Sequence, residues 1–130
     1  MERNNMPNLF DKFKTSCDYW INCNRKVQDQ IDFYISKYNT KLAWHSKKGR
    51  MVTIQYIDRE NNETEIAVIV KAVLEEAPSN VYVIAFCVNH NDVRVLKTDS
   101  ITSIIENNIL LDKKEFLKSV GVKNVLDAYL

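Results

Sequence analysis

Arg94 and Lys97 stand three residues apart in VRVLK, a stretch of β-formers just after the polar turn NHND, and Tyr82 lies in the apolar run that precedes the turn. A guanidinium offers paired donors to a phosphate, an ammonium offers a point charge and a phenol ring offers a stacking face. Together the three suit an anionic ligand that carries a planar base. A second group, Trp44, Lys47 and Lys48, lies in SKYNTKLAWHSKKGR (residues 36–50), where five basic residues occur with no acid. Basic residues interleaved with an aromatic ring fit backbone phosphates and a stacked base. The same run also suits a solvated linker. Arg94 has its own bland alternative, a surface ion pair with Asp92 or Asp99 worth little energetically. Asp99 reads as a turn or capping residue.

Nothing in the chain assembles into a catalytic centre. His45 and His90 are the only histidines, and neither has a Cys, Asp or Ser at the spacing of a triad or a metal site. Cys17, Cys23 and Cys87 are odd in number and fit neither a disulfide framework nor a zinc knuckle, which predicts reduced thiols. With only two glycines there is no Gly-rich phosphate loop. Glu63 and Glu65 alternate on one strand face, but nothing beside them would raise a carboxyl pKa or hold a sugar. The sequence therefore predicts no enzyme, no cofactor and no metal.

The elements that must position these residues are legible in outline. A chain of 130 residues, 45% hydrophobic, is one domain with one core, and a formal charge of +1 leaves any attraction for an anion to local patches. Leu9, Phe13, Cys17, Trp20, Val27, Ile31, Tyr34 and Tyr38 recur at helical spacing, with Asn8 as a plausible N-cap. A helix of that length would be about 45 Å long, more than a small barrel can cover. Part of the stripe should then lie off the core, or the helix should break near Asn22 to Asn24. An apolar seam of that size suits self-association as well as packing at home, so a homodimer, or pairing with another protein chain, is expected.

MVTIQYI alternates as a half-buried strand and DRENN (58–62) turns the chain. TEIAVIVKAVLEE is a long strand in which Lys71, the one charge inside, is expected to face out. EEAPSN is a loop broken by Pro78. Val81–Val88 is apolar on both faces, as in a central strand covered from two sides. VRVLK and ITSII complete the set. Leu111, Asp112, Glu115 and Phe116 fall at the N′, N-cap, N3 and N4 positions of a capped helix with Gly121 at C′, and Val122, Val125, Leu126 and Tyr129 offer a last amphipathic turn. The predicted fold is α+β: a small SH3-like or Sm-like bent antiparallel β-barrel of about five strands with a long N-terminal helix and a C-terminal helix. Residues 1–50 form the helical segment and basic linker, 51–106 the barrel and 107–130 a helical extension.

The succession VTIQY, hairpin, YVIAFC and NDVRVLKTDSI resembles the WYL-domain family of bacterial regulators over residues 51–105. Tyr82 stands at the family's Tyr, Arg94 at the first Arg of its Arg-x-Phe-Arg-Leu-Asp-Arg-Ile stretch, Asp99 at the Asp and Ile101 at the Ile. Val81 and Val83 replace Trp and Leu, and Lys97 and Ser100 replace the later arginines. The resemblance implies an Sm-like barrel that binds ligands, often nucleic acid or nucleotides, and usually regulates a linked DNA-binding domain. The ~50 residues before Met51 show no helix-turn-helix pattern, so a stand-alone or divergent member whose partner is another chain is expected.

The functional expectation is a non-enzymatic ligand-sensing or regulatory module that binds single-stranded nucleic acid or a nucleotide-like anion through Tyr82, Arg94 and Lys97, helped by Trp44, Lys47 and Lys48. The alternative is a protein-interaction or oligomerisation module that uses the N-terminal helix and a barrel edge. MERNNMPN lacks an apolar h-region and no run approaches the ~18 apolar residues of a membrane span, so a cytoplasmic location is expected.

Overall fold

A computed structural model of the chain describes residues 9–76 and 80–122, with side chains from Asp18 onward. Helix α1 (Leu9–Tyr38) leads into β1 (Thr40–Ile57), β2 (Glu63–Glu76), β3 (Asn80–Cys87), β4 (Asp92–Lys97), β5 (Ile101–Glu106) and β6 (Ile109–Leu111), and α2 (Lys113–Ser119) follows. The strands form one antiparallel sheet in the order β4-β3-β2-β1-β5-β6. The α+β class and the order of helix before strands are as expected. The sheet has six strands and is not closed into a barrel.

It is nevertheless strongly bent. β4 and β5 lie four interstrand steps apart, about 19 Å across a flat sheet. Only the 3-10 turn Thr98–Ser100 joins Lys97 to Ile101, and that stretch can reach about 14 Å. The sheet must curl for the connection to close, and the curl carries the free edge of β4 towards the β1–β2 turn.

The basic run 36–50 is not a linker. α1 ends at Tyr38, Asn39 turns the chain with φ +54, and Thr40 already pairs with Glu76. β1 hides from pattern reading because its register shifts twice, between Leu42 and Trp44 and between His45 and Arg50, so the alternation seen from Met51 onward is broken upstream. The sheet likewise extends past residue 106. Asn107 and Asn108 both have positive φ, the geometry of a two-residue hairpin loop, and they return the chain as β6 at the start of what reads as a helical extension.

β3 lies second from one edge of the sheet, paired on both sides, and is covered from both faces as its sequence implies. Tyr82, Ile84 and Phe86 face α1, while Val81, Val83, Ala85 and Cys87 face the other side, with Val83, Ile84 and Ala85 fully buried. On the α1 side, Val27 and Ile31 close over Ala72, Leu74 and Ile84. The opposite side, which includes Val52, Ile54, Val68, Val70 and Ile104, is closed by Phe116, Leu117, Val120 and Val122. A fully buried Ile or Phe here contributes about 1.5–3 kcal/mol.

The expected cap of α2 is present. Asp112 accepts the Glu115 amide at 2.8 Å and Glu115 accepts the Asp112 amide at 3.4 Å. At the other end Gly121 (φ +83) and Val122 donate to the carbonyls of Lys118 and Leu117, the double bond pattern of a Schellman ending.

α1 is one helix of 30 residues with no break at Asn22 to Asn24. Val27 and Ile31 are engaged on the protein's own sheet, whereas Trp20 is 40% exposed. Asn8, the side chains of Leu9, Phe13 and Cys17, the Pro78 break and the segment holding Val125, Leu126 and Tyr129 lie outside the described residues. Among the described residues, no helix is long and apolar enough to cross a membrane.

Candidate anion-binding cleft

The curl of the sheet opens a cleft of about 310 Å³ between the end of β1, its turn and the outer edge of β4. Its walls include Tyr56, Asp58 and Arg59 on one side and Arg94, Leu96 and Lys97 on the other, with Ser100 at the end. Arg94 and Lys97 point to opposite sides of the sheet, because Arg94 pairs with Ala85 and Lys97 with Tyr82. Both still reach the cleft because β4 is an edge strand, around whose free side residues from either face can close.

The opposing wall is held together by hydrogen bonds within its own turn. Asp58 accepts the amides of Glu60 and Asn62, each at 2.9 Å, and the Thr64 hydroxyl at 3.3 Å, while Asn61 takes φ +65. The Asn62 amide, above all, holds the Asp58 carboxyl below its ordinary pKa. That carboxylate is therefore engaged by its own turn, and Arg59 is displayed at the turn's tip.

Arg94 donates through Nε to both oxygens of Asp92, at 3.2 and 3.3 Å, and Lys97 Nζ lies 4.0 Å from Asp99. Side-chain exposures of 37% to 59% make both pairs surface pairs, worth about 0–1 kcal/mol, so an incoming phosphate can displace either carboxylate at little cost. Arg59, Arg94, Lys97 and Tyr56 thus line one opening of the size at which small-ligand sites begin.

The other expected site residues lie elsewhere. Tyr82 is across from Lys97 on the α1 side, its ring against Tyr34 at 5.2 Å and its hydroxyl donating to Glu76 at 2.9 Å. Burial, and then that carboxylate, push its pKa up to about 12. Trp44 pairs with Val73 and packs on the α2-side core. Lys47 and Lys48 sit exposed in the β1 irregularity, away from the cleft lining. Tyr56 and Arg59, which the sequence reading left out, carry the far wall. Their strand and turn were legible, but nothing in the sequence placed them opposite β4.

Lys71 reverses its expectation, being 2% exposed rather than outward-facing. The register shift between Val70 and Ala72 takes it out of the strand's alternation and turns it under α1. There Nζ donates to Asn24 Oδ1 at 3.2 Å and to the Lys47 carbonyl, and lies 5.3 Å from the Trp20 ring centroid. Burial pushes its pKa below the ordinary 10.5, opposed by the neighbouring Cys23, whose own thiol burial pushes up.

A lysine depressed in the fold binds fewer protons there than in the unfolded chain. Stability should therefore rise with pH between its folded value and 10.5, and be lost as pH falls through the folded value. Tyr82 has the opposite sign above pH 10. Urea unfolding of wild type minus Lys71→Met across pH 8–11 cancels the tyrosine and should show the rise. A flat difference would contradict it.

Among the described residues Cys23 and Cys87 are free and buried, and no His, Cys, Asp or Glu cluster could hold a metal ion. Comparison with protein-family models, with curated proteins and with solved structures finds no match for this chain, so the functional reading rests on its own residues.

Proposed function

We propose that this protein is a non-enzymatic binding module that takes single-stranded nucleic acid or a nucleotide-like anion in the cleft between β4 and the β1–β2 turn. The observation that carries this reading is the convergence of Arg59, Arg94 and Lys97 with the Tyr56 ring on one open cleft. Arg94 offers a guanidinium to a phosphate, Lys97 and Arg59 add charge, and Tyr56 offers a face for a base. The resemblance of VRVLKTD to the arginine-bearing strand of the WYL-domain family is in keeping with this role.

With three cations at the cleft, single-strand affinity should fall with salt at a log–log slope of about −2. Replacing Arg94 with Ala should weaken binding of labelled oligothymidylate or of a nucleotide by about 1–3 kcal/mol at low salt. Equal affinity of the two proteins, or none in wild type, would exclude the cleft. That result would favour the competing reading, a protein-interaction module, for which the exposed Ile21 on α1 and Ile109 and Leu110 on β6 offer surface.

A further inference from the structure

We infer that the ligand is a strand rather than a single nucleotide, and that it leaves the cleft over Lys97 to stack a base on an aromatic ledge at the end of α1. This inference rests on the cleft reading and names its ligand more narrowly.

Lys97 belongs to two places at once. It lines the cleft, and it lies directly opposite Tyr82 in the β3–β4 ladder, so the two side chains leave the sheet about 5 Å apart on the α1 side. Tyr82 opens a continuous aromatic surface. Its ring meets Tyr34 at 5.2 Å and Tyr38 at 6.4 Å, Tyr34 meets Tyr38 at 5.1 Å, and Phe33 lies 5.6 Å from Tyr34. Tyr34 and Tyr82 are half-buried and form its base. Phe33 and Tyr38 are 47% and 36% exposed, and an apolar ring held in water on an ordered helix is open to a partner with a flat face.

Two features make a nucleobase that partner. Lys37 Nζ lies over both exposed rings, 5.2 Å from the Phe33 centroid and 5.4 Å from that of Tyr38, so a cation able to meet a phosphate stands where a stacked base would bring one. The nearby carboxylates are already engaged: Glu76 by the Tyr82 hydroxyl and the Asn80 amide, Asp32 by Gln28. Cations at both ends of a stacking surface form the pattern by which proteins track a single strand. The cleft has one aromatic ring of its own, so a second base of the same strand has to find its stack outside it.

The test is titration of the full chain with dTMP and with labelled dT10 at low salt, using wild type, Tyr38→Ala, Tyr38→Phe and Arg94→Ala. Wild type should bind dT10 roughly tenfold or more tighter than dTMP, the gain of at least one stacked base. Tyr38→Ala should remove about that factor from dT10 while leaving dTMP unchanged, and Tyr38→Phe, which keeps the ring, should restore it. Arg94→Ala should weaken both ligands. If dT10 binding falls with Arg94→Ala but not with Tyr38→Ala, the ledge is overturned and the cleft stands. If neither substitution matters, or wild type binds neither ligand, both are overturned.

Discussion

Replacing Gly49 with Ala should cost about 2–5 kcal/mol of stability, more than the same change at the chain's other glycine. Gly49 sits in the β1 irregularity with φ +76, where an L side chain alone costs about 1–2 kcal/mol. A Cβ there would also come within 2.4 Å of Ile69 Cγ2 and 2.8 Å of the Val70 carbonyl oxygen. The carbonyl belongs to β2 where Val70 pairs with Arg50, so it cannot withdraw without disturbing the ladder, and overpacking of this kind adds about 1–3 kcal/mol. The bulge also presents the Lys47 carbonyl to buried Lys71, so its displacement strips that ammonium of an acceptor. Gly121 is the control: its φ is +83, but nothing lies within 4 Å of an added Cβ, so Gly121→Ala should cost only the backbone term of about 1–2 kcal/mol. Urea midpoints at constant m-value measure both, and equal losses would show that the close approach at Gly49 is not what constrains it.

Arg50→Met should cost about 1.5–3 kcal/mol, with a characteristic dependence on pH. Arg50 donates to both oxygens of Glu106, at 2.9 and 2.5 Å, and to Ser119 Oγ at 2.7 Å, with its guanidinium 4.7 Å from the Phe116 ring centroid. One side chain thus ties β1 to β5 and both to α2, at side-chain exposures of 25% and 19% for the ion pair. Bidentate, partly buried pairs exceed the ordinary surface value, and removing the cation leaves a half-buried carboxylate without its counter-charge.

The Arg50 hydrogen bonds hold Glu106 below its ordinary 4.5. A depressed carboxyl contributes fully above its unfolded value and loses that contribution as pH falls through the folded one. The stability difference between wild type and Arg50→Met should be constant from about pH 5 to 7 and shrink below pH 4.5. The depressed Asp58 acts equally in both proteins and cancels. A difference that persists undiminished into acid would assign the effect to packing on Phe116 rather than to charge.

Much of the fold is written locally in the chain. The capping box at Asp112 and Glu115 and the Gly121 ending depend on atoms within a few residues of one another, and so do the turns at Asp58–Asn62 and Asn89–Asn91. The two-faced burial of β3 follows from the run 81–87 carrying no charged residue on either side of the alternation. The position of α1 and the α+β class come from periodicity, and the position of α2 comes from its caps. The three-residue spacing of Arg94 and Lys97 likewise sends them to opposite faces of any strand.

What only the tertiary structure decided follows from two physical causes. Register shifts in β1 and β2 break the period on which pattern reading depends, which is why a basic run passed for a linker and why Lys71, expected outside, lies beneath α1. Sheet curvature is the other cause. It is set by the three-residue connection between strands that sit at separate places in the sheet order, and no local pattern encodes it. It brings Tyr56 and Arg59 to the edge of β4, while the β3–β4 register gives Tyr82 to the α1 side and Trp44 packs into the other core. The residue types for binding an anion were present in the sequence, but which of them share one cleft depended on contacts between residues about 40 apart.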